Sequence, residues 1–126
     1  MSYRPITDTW LLARPKVKYY GAYPSGFLER ARQLLGVDWN DAVLHAPGGM
    51  VRDYPYRGLG PADKTVDVSE DVHPDYCLDI TQSGLDKKDW DAILMDPPYS
   101  ETDAKHYGDA WCPPPAFCVT WGIAHV

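Results

Sequence analysis

"DAILMDPPYS", Asp91 to Ser100, decides how the chain is read. Four apolar residues between two acids predict a short buried strand ending at Asp96. Two prolines and a tyrosine then follow. Proline fixes φ and removes a donor, so the strand stops there and a stiff loop begins. Stiffness at a strand end suits a site that must hold a group in one orientation.

Upstream, the same punctuation recurs. "GFLERARQLLG", Gly26 to Gly36, has apolar residues at Phe27, Leu28, Ala31, Leu34 and Leu35, which is helical spacing. Ser25 is the expected N-cap and Gly36 the stop. Ala42 to His45 reads as a short buried strand, and Pro47-Gly48-Gly49 as a loop. "RDYPYRGLGPAD" reads as loop, "KTVDVS" as a second strand ending at Asp67, and "DYCLDIT" as a third carrying Asp79. "GLDKKDW" is a polar helix or turn. Strand, glycine loop, strand ending in an acid, then strand again predicts a parallel α/β sheet. Ligands in such sheets bind at the carboxyl ends of the strands. Gly48, Gly49, Asp67, Asp79 and Asp96 all fall at predicted carboxyl ends.

Asp96-Pro97-Pro98-Tyr99 fits one chemistry well. An exocyclic amine of adenine or cytosine is a poor nucleophile, because its lone pair is delocalised into the ring. A carboxylate and a backbone carbonyl that accept both amine hydrogens draw the nitrogen towards tetrahedral geometry. Asp96 supplies the carboxylate and Pro97 the carbonyl. Pro98 adds rigidity, and Tyr99 offers a flat face for a flipped-out base. A plain turn ending a strand would use the same four residues.

"ILMDPPYS" resembles the catalytic motif of amino-group S-adenosylmethionine-dependent methyltransferases, which make N6-methyladenine or N4-methylcytosine in DNA. Some RNA base methyltransferases share the tetrad. The resemblance covers roughly residues 16 to 107, with phage and prophage adenine methyltransferases the nearest comparison. It implies a Rossmann-like α/β sheet that binds S-adenosylmethionine. Ala46, Pro47, Gly48 and Gly49 stand at the methionine loop. Asp67 and Val68 stand where an acid holds the ribose, and Asp79 and Ile80 where an acid meets the cofactor adenine. "KYYGAYPSGFLERARQLL" is similar to the N-terminal cofactor segment, with Tyr20 and Gly21 as contacts. The implied catalytic residues are Asp96, Pro97, Pro98 and Tyr99, and the implied partner is DNA before RNA. His45 stands where the family frequently has an acid. A strand-end histidine bonded to backbone and a cofactor contact are both open for it.

One domain is expected: an N-terminal segment and helix over 1–36, a cofactor and catalytic core over 41–107, and an irregular tail over 108–126. Thirty residues follow Asp96. A full methyltransferase sheet needs about three more strands with their helices, on the order of 80 residues. The expectation is therefore a sheet incomplete on its C-terminal side. Either the enzyme is truncated, and then an inactive remnant serving as a binding or scaffold module, or a second chain or a homo-oligomer completes it.

Composition bounds the rest. Hydrophobic residues are 44% of the chain, enough for a packed core. No apolar run is long enough to span a bilayer and the start lacks a signal-peptide pattern, so a cytoplasmic protein is expected. Cys77, Cys112 and Cys118 show no paired spacing, and the four histidines show no ligand pattern, so neither disulfide nor metal is expected. Net charge is −6, against a nucleic-acid binder as a whole. Arg4, Arg14, Lys16, Lys18, Arg30 and Arg32 nevertheless face only Asp8 and Glu29 in the first 32 residues, a locally basic part. Tyr19, Tyr20 and Tyr23 could stack on bases there or pack beside the sheet. Arg52 and Arg57 belong to a substrate loop or to a solvated connection.

Overall fold

The computed structural model describes residues 9–12, 23–53, 57–80 and 90–96, with Thr102 and Lys105 singly. Helix α1 spans Phe27–Leu35, and four strands follow: β1 Val43–His45, β2 Lys64–Asp67, β3 Tyr76–Cys77 and β4 Ala92–Leu94. Short 3-10 turns stand at Val51–Asp53 and Glu70–Val72. The strands form one sheet in the order β3-β2-β1-β4, and every pairing is parallel. The fold is α/β.

The helix ends at Gly36 as its sequence predicts. The Gly36 N–H bonds the Gln33 carbonyl, and the Val37 N–H returns to the Arg32 carbonyl at 2.9 Å, closing a Schellman motif. Its start differs from expectation. The N-cap is Gly26 and not Ser25, with a left-handed backbone and no side-chain cap. The tight turn from Pro24, whose carbonyl accepts from Phe27 N–H, places Ser25 outside the helix. Leu28, Ala31 and Arg32 form the buried stripe. Leu34 and Leu35, expected on that stripe, are exposed.

Alternation along the strands sorts the two faces of the sheet. Leu44, Ala46 and Val66 build an apolar cluster with Trp90, with Tyr76, Leu78, Ile80, Ile93 and Met95 packed around it. His45, Asp63 and Thr65 alternate with these, are buried too, and lie on the side that meets Arg32 of α1. β1 is buried at all three positions, as a central strand of a parallel sheet must be.

Gly58 shows how closely the chain passes beneath the helix. Its φ is +116°, and a Cβ there would lie 2.5 Å from Leu28 Cβ. Only glycine meets both demands. The third strand is shorter than its sequence suggests. β2 ends at Asp67, so only Tyr76 and Cys77 find ladder partners, and Asp79 lies beyond the strand. The "GLDKKDW" reading falls largely, and the tail reading wholly, outside the described residues.

Candidate functional site

The strand ends converge on the loop after β1. Ala46 N–H donates to the Leu94 carbonyl of β4, and Gly48 N–H to the Val66 carbonyl of β2, both at 2.9 Å. Gly49 N–H then donates to Asp67 Oδ2 at 3.0 Å. The other Asp67 oxygen, Oδ1, accepts from Ser69 N–H at 3.1 Å, and Asp67's carbonyl accepts from Leu78 N–H at 3.0 Å. A glycine loop, a strand-end acid and the residues leading to Asp79 are thus tied together by backbone donors.

Gly48 and Gly49 differ in kind. A Cβ on Gly48 would stand 2.6 Å from Thr65 Cβ, so the loop presses on β2 there. A Cβ on Gly49 would meet nothing within 4 Å. The loop is packed below and open above. Pro47 and Asp67 are half-buried and Val68 is exposed. Asp79 and Ile80 follow β3 and are half-buried, and Asp96 follows β4, two residues past Leu94, which pairs with His45. Pro97, Pro98, Tyr99, Tyr20 and Gly21 lie outside the described residues. The structure brings Gly49 and Asp67 into direct contact, sets Gly48 against Val66 and Thr65 of β2, and puts Asp79 and Asp96 just beyond the flanking strands.

His45 bonds a side chain and not backbone. Its Nε2 lies 3.0 Å from Asp63 Oδ2, and only 1% of the residue is exposed. Asp63 also takes Arg32 Nη1 on both oxygens, at 3.0 and 2.9 Å. Arg32 Nη2 donates to the carbonyls of Asp38 and Trp39 at 2.9 and 3.1 Å. Burial alone raises the Asp63 carboxyl pKa. The hydrogen bonds from His45 and Arg32, with their electrostatic attraction, outweigh that and hold it below the usual carboxylate range.

Arg52 lies on the connection after β1 and is exposed, yet it is anchored to the sheet. It donates to Thr65 Oγ1 at 3.1 Å and to the Asp63 carbonyl at 3.2 Å, and it pairs with Asp75. Burial raises the Asp75 carboxyl, but Arg52, the Thr65 N–H and the charge of Lys64 bring it lower. Sequence reasoning passed over Arg32 and Asp63 in this role. The available signal was an arginine on the i, i+3, i+4 stripe with Leu28 and Ala31, where a buried cation requires a partner.

Tyr23 packs on Phe27 with ring centroids 4.6 Å apart, and Trp10 lies 5.8 Å from the same ring. Arg30 sits 5.0 Å over Trp10. Among the described residues no three His, Cys, Asp or Glu side chains gather as metal ligands, and no helix is long and apolar enough to cross a membrane. No family model, curated protein or solved structure matches the chain.

Proposed function

We propose that the chain binds S-adenosylmethionine at the carboxyl ends of its sheet and methylates an exocyclic base amine in DNA, adenine N6 first. The observation that carries this reading is the contact of Gly49 N–H with the Asp67 carboxylate, beside the β4 end that leads into Asp96. Strand order supports it too: β3-β2-β1-β4 is the arrangement of a doubly wound, Rossmann-like half-sheet, whose ligands sit where the order reverses, here between β1 and β4.

The residues fit the cofactor. Space above Gly49 is open. Each Asp67 oxygen holds one amide and keeps a second lone pair for a ribose hydroxyl. Asp79 would accept from the cofactor's adenine amine. When bound, the cofactor supplies a methyl group on a sulfonium. Asp96 and the Pro97 carbonyl would take the two hydrogens of the target amine, and Tyr99 would stack on the base. RNA is the second substrate, and the basic residues near the N-terminus would meet phosphates.

A second reading is a domain that no longer transfers methyl groups and serves as a binding module. The engagement of both Asp67 oxygens by backbone amides favours it, since a structural role for that acid would leave the same picture.

Calorimetric titration with S-adenosylmethionine, run on wild type and on Asp67→Ala, separates the readings. Saturable binding that the variant loses while staying folded by circular dichroism supports the cofactor site. A folded wild type that binds nothing removes the enzyme reading.

A further inference from the structure

A cavity of about 500 Å³ opens between α1 and the segments leading into β1 and β2. Its walls include Glu29, Gln33, Val37, Trp39, Arg57 and Leu59. These segments enter the strands, so the cavity lies at the amino ends of the sheet, opposite Asp67 and Asp96. Its volume suits a drug-sized or nucleotide-sized ligand.

Three features give it chemistry. Trp39 is 55% exposed, an uncommon condition for so large an apolar side chain, with the Arg32 guanidinium 5.9 Å from its ring. Arg57 is exposed and makes no ion pair or hydrogen bond among the described residues, and the same holds for Glu29. Arg32, which also lines the cavity, keeps a buried Nε–H with no acceptor. A flat apolar wall, and a guanidinium and a carboxylate with no partner among the described residues, the carboxylate beside an amide, therefore face one space.

We infer that this cavity takes a nucleotide. The base would stack against Trp39, where every base has a π-face to offer. Arg57 would hold the phosphate through charge-assisted bonds. Glu29 and Gln33 would meet donors and acceptors on the base edge. The ligand is a free mononucleotide or the 5′-phosphorylated end of a single strand, which present the same groups. The inference does not rest on methyl transfer.

The test is calorimetric titration of the full chain with adenosine 5′-monophosphate, adenosine, inorganic phosphate and a 5′-phosphorylated tetranucleotide. Saturable binding of the mononucleotide is expected, weaker by tenfold or more with adenosine or phosphate alone. Arg57→Ala and Trp39→Ala, both at exposed positions, each weaken it about tenfold. Asp67→Asn leaves it unchanged. Equal affinity for the tetranucleotide assigns the site to a strand end, and preference for the mononucleotide to the free form. Three results overturn the proposal. One is no saturable binding by folded protein. Another is binding lost in Asp67→Asn and kept in Arg57→Ala, which moves the nucleotide to the strand ends. The last is self-association abolished by Trp39→Ala without nucleotide binding, which makes the surface a protein contact.

Discussion

Arg32 and Asp63 form a two-pronged ion pair across 31 residues of sequence, with Nη1 at 3.0 and 2.9 Å from the two carboxylate oxygens. The Arg32 side chain is 9% exposed and that of Asp63 1%. Removing one partner leaves the other charge buried. Asp63→Ala is expected to cost about 3–5 kcal/mol of unfolding free energy. Urea denaturation would show it as a lowered midpoint at unchanged slope, and a loss below 1 kcal/mol would contradict the burial argument.

The same pair sets a pH dependence. Asp63 and Asp75 both have carboxyl pKa values below the ordinary one when folded. Such a group binds fewer protons folded than unfolded, so its stabilisation is present in full above the unfolded value, near pH 4. It is lost as the pH falls through the lower, folded values. Wild type should therefore lose stability steeply below about pH 4, and Asp63→Asn should show a shallower acid limb. Parallel limbs in thermal melts from pH 6 to pH 2 would refute the assignment.

Two glycines make a matched comparison. Gly58→Ala puts a Cβ 2.5 Å from Leu28 Cβ at φ +116°, whereas Gly49→Ala at φ +52° meets open space. The first combines overpacking with backbone strain and should cost about 3 kcal/mol or more, the second about 1 kcal/mol. Thermal midpoints of the two variants give the order directly, and reversal would mean the loop beneath α1 moves aside.

Asp96→Ala separates cofactor from chemistry. Under the proposed function it should leave S-adenosylmethionine affinity within about threefold and lower methyl transfer at least 100-fold, because the carboxylate acts on the base amine alone. Single-turnover transfer of labelled methyl to DNA, read beside calorimetry, checks both halves. Transfer retained at wild-type rate would take Asp96 out of the mechanism.

Local patterns carried much of the fold. "AVLH", "KTVD" and "AILM" are apolar runs cut by acids, loops or glycines, and strands stand at each of them. Gly36 stops α1 where the sequence puts the stop. The misses are tertiary. Ser25 lost the cap to Gly26 because the Pro24 turn sets the entry angle. The third strand stops short of Asp79 because its neighbour β2 ends at Asp67. His45 and Arg52 each bond residues at least 11 positions away, which no local window displays. In the candidate site, the loop at Gly48 and Gly49 and the strand-end place of Asp67 were legible from the glycines and from the acid that closes an apolar run. That Thr65, and not a ligand, demands the glycine at Gly48 was not.

The position of β1 between β2 and β4 bears on how the chain acquires its shape. β2 arrives within about twenty residues of β1, but Ala42 and Asp91, which clasp the β1–β4 pair at its entrance, stand 49 positions apart. Contacts that remote slow the folding of small domains, since a long loop must close before any bond rewards it. A chain emerging from the ribosome at roughly 5–20 residues per second would leave one flank of β1 unpaired for about 1–5 seconds after β2 has joined. Over that interval Val43 to His45 keeps a row of strand donors and acceptors unpaired, an edge open to other chains.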